Sequence, residues 1–237
     1  MRLLWLDLLK GISIVLVVGY HLLFDLDHFV GIPIDTEAWY WSLAAFPILA
    51  VFIGGAGVSL VLSSFNKTER TFRLLTIKKT AYLCCCALAV TAVTTSLFPD
   101  EAILFGVLHL IAVSRLVGMF FVQARRTALI TGLAVLAVTP LVTQLPVQTH
   151  AFIWLGVVPD NFSSLDYFPL FPWFGIFCIG MFLGQMLPSS WSLSWDVKNP
   201  GLLGRTLIFL GRHTLLLYLV HQPVILGMFW FFGFMRL

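Results

Sequence analysis

Charge is what this 237-residue chain has least of: Asp, Glu, Lys and Arg make up 11% of it, and apolar residues 59%. A water-soluble domain carries roughly 25% charged residues, so the chain cannot cover itself with polar surface in water and a soluble globule is excluded. No basic run is interleaved with aromatics on a polar face, so the net charge of +3 holds no nucleic-acid signal. There is no internal repeat, no low-complexity tract and no stretch polar enough to form a soluble domain. Cysteine is scarce: Cys84, Cys85 and Cys86 are consecutive, and Cys178 stands alone. Consecutive helical residues point in different directions and cannot clamp one ion, and no zinc spacing occurs. All four read as small apolar filler. The first apolar stretch has no small-residue cleavage site; it continues through Tyr20, His21 and Phe24. It is therefore expected to be kept as a first membrane span and not removed as a signal peptide.

What the chain does have is a succession of apolar runs parted by short polar breaks. A membrane crossing needs about 20 such residues. Spans are expected at Leu8–Phe24, Trp41–Phe65, Thr80–Phe98, Ile103–Val122, Ala128–Leu145, Phe168–Leu187, Arg205–Val220 and Pro223–Met235. The last two share a break at His221-Gln222-Pro223 and count equally as one kinked helix. The fold class is thus an all-α polytopic transmembrane bundle of about seven or eight spans, forming one domain over residues 1–237. Loop charges alternate. Arg2 and Lys10, then Lys67, Arg70, Arg73, Lys78 and Lys79, then Arg125 and Arg126, then Lys198 and Arg205 lie on one side, and Arg236 closes the chain. The intervening breaks, around Asp25 to Glu37, at Pro99-Asp100-Glu101 and over Pro146–Tyr167, contain no Lys or Arg. The positive-inside rule then places the N-terminus in the cytoplasm and, with eight spans, the C-terminus as well. Small residues in Gly54-Gly55-Ala56-Gly57 with Ser59, and in Gly180-x-x-x-Gly184, mark close helix contacts.

Ionisable groups inside a membrane cost roughly 2.5–3.5 kcal/mol each on insertion scales, and those that persist face the bundle interior or a wet cavity. Five places stand out. His21, Asp25 and His28 share one helix face if the first helix continues, and a carboxylate one turn from a histidine suits a general-base pair. The bland reading is a polar helix end meeting the interface. His109 in Gly106-Val107-Leu108-His109 lies in the outer half of its span and Arg115 in the inner half. A buried Arg needs an anionic partner, either a ligand or, on the structural reading, Asp7. Asp166 heads the Pro169 to Trp173 span entry, as a helix cap or a site carboxylate. Arg212 in Leu210-Gly211-Arg212-His213 suits bidentate phosphate binding or simple snorkelling to the inner surface. His221-Gln222 lies at the outer end of the same span. His21, Asp25, Asp166 and His221 therefore gather near the outer face, and Lys10, Arg115 and Arg212 near the inner one. Two ligands arriving from opposite sides would suit that polarity.

On these stretches, from Asp7-Leu8-Leu9-Lys10-Gly11-Ile12 and Tyr20 to Asp25 through Gly106 to His109, Asp166 to Trp173 and Leu210 to Pro223, the chain resembles bacterial members of the heparan-alpha-glucosaminide N-acetyltransferase catalytic-domain family, within the transmembrane acyltransferases. The spacing from Lys10 to His21 is also similar to the basic-residue-to-histidine spacing of membrane O-acyltransferases, where the histidine is implicated in catalysis. The resemblance implies acetyl-CoA as donor, bound from the cytoplasm of a bacterial inner-membrane protein. It implies a sugar or glycan amine or hydroxyl as acceptor on the other side, with no nucleic acid and no metal. Lys10, Arg115 and Arg212 would hold the phosphates of CoA; His109, Asp166, His221 and Gln222 would bind the acceptor; His21, Asp25 and His28 would carry catalysis. In the eukaryotic enzyme the active histidine lies in the loop after the first span of the catalytic domain. That position matches His28, without the Trp-Asn-Gly that follows it there, so His21 and His28 both stand. The eukaryotic lumenal domain is not expected here, and heparan sulfate itself is not the expected acceptor. A homodimer is left open. Two other classes compete: an intramembrane zinc hydrolase using His21, Asp25 and His28 with His109 or His221, and a transporter or exporter subunit without chemistry.

Overall fold

A computed structural model describes residues 3–34, 38–187 and 200–234. Arg2, Asp35, Glu37, Lys198 and Arg236, all used in the charge argument, lie outside the described residues. Eight α-helices account for most of what is described: α1 Leu4–His28, α2 Trp39–Ser64, α3 Glu69–Leu97, α4 Val107–Gly118, α5 Arg125–Val142, α6 Leu170–Met186, α7 Gly201–Arg212 and α8 Thr214–Phe231. No strand occurs among the described residues, and the protein is a helical membrane bundle. Five helices (α1, α2, α3, α5 and α8) are long and apolar enough to cross a membrane, while α4 and α6 are shorter apolar helices.

The chain divides into two compact units, one of residues 53–189 and one of residues 2–52 with 190–237. In the first unit α5 packs on α6, and α4 on both α3 and α6. Glycines set the approach. A Cβ at Gly57 would collide with the backbone of Phe177 on α6, and one at Gly180 with the backbone of Gly54 on α2. Gly132 of α5 and Gly175 of α6 face each other's carbonyls in the same way. Lipid tails are as apolar as leucine, so close backbone packing substitutes for hydrophobic drive between these helices. The Gly54–Gly57 and Gly180–Gly184 segments thus meet each other.

Two expectations change in this unit. The Ile103–Val122 span shrinks to the 12 residues of α4, about 18 Å of helix. Residue 103 belongs instead to an extended entry strap, whose N–H donates to Thr94 Oγ1 at 3.0 Å and whose carbonyl accepts from Thr91 Oγ1 at 2.6 Å. At the other end a turn through Met119 to Val122 closes α4 early. Apolarity alone does not reveal either boundary.

In the second unit α1 packs on both α7 and α8. Gly11 faces the Leu207 carbonyl and Gly211 the Asp7 carbonyl, so α7 runs antiparallel to α1. The chain then reverses at His213, where Thr214 Oγ1 donates to Gly211 O at 2.6 Å, and α8 climbs parallel to α1. The expected break at His221-Gln222-Pro223 is therefore wrong: Pro223 lies inside α8. The helix runs through it although Pro223 offers no N–H to the Leu219 carbonyl, as membrane helices tolerate an internal proline. α7 has 12 residues, short of the roughly 20 that a crossing needs.

Candidate functional site

The second unit holds a polar cluster where α1 meets α8. α1 is unbroken to His28, so His21, Asp25 and His28 follow one face at one-turn intervals. The ring of His21 lies edge-on to that of His221 on α8, centroids 4.9 Å apart. The His21 Nδ1 sits 2.9 Å from the Val17 carbonyl. A carbonyl only accepts, so Nδ1 must hold the proton and Nε2 presents its lone pair. The same reasoning applied to the His221 Nδ1, 2.7 Å from the Tyr218 carbonyl, makes its Nε2 a lone-pair nitrogen too.

Asp25 is fully buried. Its Oδ1 accepts from Gln222 Nε2 at 3.3 Å, while its Oδ2 and the Gln222 Oε1 are buried without a hydrogen-bond partner among the described residues. Such orphans are rare and costly, and they mark a place where a donor is missing. The expectation that Asp25 orients His21 is corrected here. Within a helix the carbonyl four residues back reaches the ring first, so Val17 orients His21 and the carboxylate turns to α8. His28 is exposed, stacked on Phe24 with centroids 5.3 Å apart and edge-on to Phe29. At the other end of the same unit Arg212 Nε meets Asp7 Oδ2 at 3.3 Å, with 41% of the Arg212 side chain exposed. Such a half-exposed pair contributes at most about 1 kcal/mol. Its terminal guanidinium nitrogens are not used by that bond. Lys10, one turn from Asp7, is half-buried.

In the first unit His109 and Asp166 do structural work. Asp166 Oδ2 accepts from the Val107 N–H at 3.1 Å, capping α4 from 59 residues away. The carboxylate caps α4 and not, as its place in the sequence suggests, the helix that follows it. A Cβ at Gly106 would run into that carboxylate and force it to shift. His109 Nδ1 accepts from the Gly106 N–H at 3.3 Å, so its proton is on Nε2, which donates to Thr91 Oγ1 at 3.3 Å. Both ring nitrogens are thereby committed to the protein. Outside the helices, Tyr167 donates to the Ile153 carbonyl at 2.8 Å, and burial pushes its phenol up to about 12.

Arg115 is placed quite differently. Its Nε is buried with no hydrogen-bond partner, as are Thr80 Oγ1 and Ser114 Oγ. Lys79, which the sequence presents as one more loop charge, is inside α3 and within electrostatic reach of Arg115 and Lys67. The signal available in the sequence was its position: Lys79 directly precedes an apolar run and is followed by a threonine. Among the described residues no group of three or more His, Cys, Asp or Glu is placed to hold a metal ion, so the zinc reading finds no ligand set there.

Against known families, residues 2–223 match the model described as "Heparan-alpha-glucosaminide N-acetyltransferase, catalytic". No curated protein and no solved structure matches the chain.

Proposed function

The chain belongs to the heparan-alpha-glucosaminide N-acetyltransferase catalytic-domain family, and from that premise we propose that it moves an acetyl group from cytoplasmic acetyl-CoA to a sugar amine or hydroxyl across a bacterial inner membrane. The observation supporting this reading is the acceptor-only character of the α1–α8 cluster. Asp25 Oδ2 and Gln222 Oε1 are buried without donors, and His21 offers a lone pair at Nε2 because Val17 holds its other nitrogen. A sugar supplies what is lacking: O–H and N–H donors in number.

In the reaction, the acceptor O–H or N–H gives its proton to His21 Nε2 as its heavy atom bonds to the thioester carbonyl carbon. The C–S bond breaks, and CoA leaves as a thiolate that is then protonated. His21 is the general base, and Asp25, steadied by Gln222, holds a second donor of the acceptor so that the attacking atom is in line. His221 stands edge-on to His21 in the same cluster. Lys10 and Arg212, at the opposite end of the unit, face the donor's phosphates. His109 and Asp166 act on this reading through α4 and do not touch the acceptor.

The test is acetyl-CoA-dependent thiol release by purified protein, with glucosamine and N-acetylglucosamine as acceptors. Turnover with glucosamine alone identifies amine transfer, and turnover with both identifies hydroxyl transfer. Asp25→Asn, which keeps size but halves the acceptor capacity, is expected to lower kcat/KM about tenfold to a hundredfold, the cost of one to two charge-assisted bonds. Unchanged kcat/KM in Asp25→Asn would remove the carboxylate from the site.

A further inference from the structure

Asp25 is 0% exposed, and a carboxylate taken wholly out of water needs a positive partner. Its surroundings inside the fold supply none. Oδ1 accepts from Gln222 Nε2 at 3.3 Å, a neutral amide. Oδ2 accepts nothing among the described residues. His21, one turn back on α1, gives its ring proton to the Val17 carbonyl at 2.9 Å. His28 is within electrostatic reach of Asp25, but it is exposed, where water and salt screen its charge. Arg212, in the same unit, is engaged by Asp7 at 3.3 Å.

Bare oxygens gather at this point. Gln222 Oε1, like Asp25 Oδ2, is buried without a hydrogen-bond partner among the described residues. Each shares its carbon with an atom of the Asp25–Gln222 hydrogen bond, so both flank that one bond across the seam of α1 and α8. Pro223 follows Gln222 inside α8 and offers no N–H to the Leu219 carbonyl. Leu219 lies three residues before Gln222, on the same helix face. Carbonyls released from a helix coordinate Na⁺ in membrane transporters.

One carboxylate with two neutral oxygens balances a single positive charge. Ca²⁺ takes about six to eight oxygens, and Mg²⁺ keeps several of its waters. Among the described residues no group of three or more His, Cys, Asp or Glu is placed to hold a metal ion, which disfavours a divalent one. We propose that Asp25, Gln222 and the Leu219 carbonyl bind a Na⁺ ion between α1 and α8 in the resting protein. The ion is a counter-charge and takes no part in chemistry. A sugar acceptor supplies donors to these oxygens only while it is bound, and Na⁺ binding does not depend on the acetyltransferase reading.

The test uses the full chain in detergent, with neither acetyl-CoA nor sugar present, melted in NaCl and in choline chloride of equal ionic strength. Na⁺ is expected to raise the wild-type melting temperature saturably, by mass action on the folded state, and radioactive Na⁺ is expected to bind at one ion per chain. Asp25→Asn keeps the shape and removes the charge. It is expected to melt alike in the two salts and to bind no Na⁺. Gln222→Leu is expected to need roughly tenfold more Na⁺ for half the effect, the worth of one lost oxygen ligand, and it keeps the test open if Asp25→Asn does not fold. Folded wild type that melts alike in both salts overturns the site, as a carboxylate neutralised by a proton alone would behave. A Na⁺ effect that survives unchanged in the folded variants overturns it as well. No arm needs acetyl transfer, so failure of that reading would not be confused with failure of this one.

Discussion

His21→Ala is expected to lower acetyl transfer by about 10²–10⁴-fold, the usual share of a positioned general base, while the protein still folds. Val17 fixes the ring through Nδ1, so what is lost is the Nε2 lone pair and not a structural bond between helices. The neighbouring ring of His221, 4.9 Å away, offers a second base and sets the residual rate. His28→Ala, by contrast, removes an exposed ring that rests on Phe24 and Phe29 and is expected to leave kcat within about twofold, as surface substitutions usually do. Measuring kcat and KM for both variants decides between the two histidines. Full activity in His21→Ala with loss in His28→Ala would reverse the assignment.

Gly57→Val is expected to abolish recovery of monodisperse protein, and Gly180→Val to do the same. At each site the added carbons meet backbone, of Phe177 in one case and Gly54 in the other. Backbone cannot swing aside as the tip of a side chain can, so α2 and α6 must separate and lose the packing that holds membrane helices together. Gly19→Ala and Gly227→Ala are the matched controls. Nothing lies within 4 Å of a Cβ at either position, and in a helix interior alanine is favoured over glycine by about 0.5–1 kcal/mol. Fluorescence-detected size exclusion and thermal unfolding of the four variants should therefore split two and two. Normal recovery of Gly57→Val would mean that α2 and α6 do not approach as described.

That Gly54–Gly57 and Gly180–Gly184 lie in close helix contacts was legible in the sequence, because small residues at helical spacing have few other uses in a membrane; that they meet each other was not. The long apolar runs of α1, α2, α3 and α5 were legible for the same reason: composition suffices where one residue type dominates. The reversal at His213 was not, since it depends on Gly11 and Gly211 letting α7 lie against α1, a tertiary fact. Pro223 pointed to the wrong place because a membrane helix can continue through a proline, and here α8 does. His21, Asp25, His221 and Gln222, placed by the sequence at the outer ends of their helices, lie together, but their pairing was not legible. Asp25 bonds to Gln222 and His21 to its own backbone, a choice made by side-chain rotamers. Lys79 and Thr80 were hidden because a lysine beside a loop reads as topology until the helix is seen to begin ten residues earlier, at Glu69.

The central claim is that the chain carries an acetyl group across the membrane it spans. It is tested most directly in sealed proteoliposomes with labelled acetyl-CoA trapped inside and glucosamine supplied outside, then with the two compartments exchanged. The account predicts labelled N-acetylglucosamine in the compartment opposite the donor, dependent on intact His21. Product formed only when donor and acceptor share a compartment, or no product from folded protein in either arrangement, would contradict it.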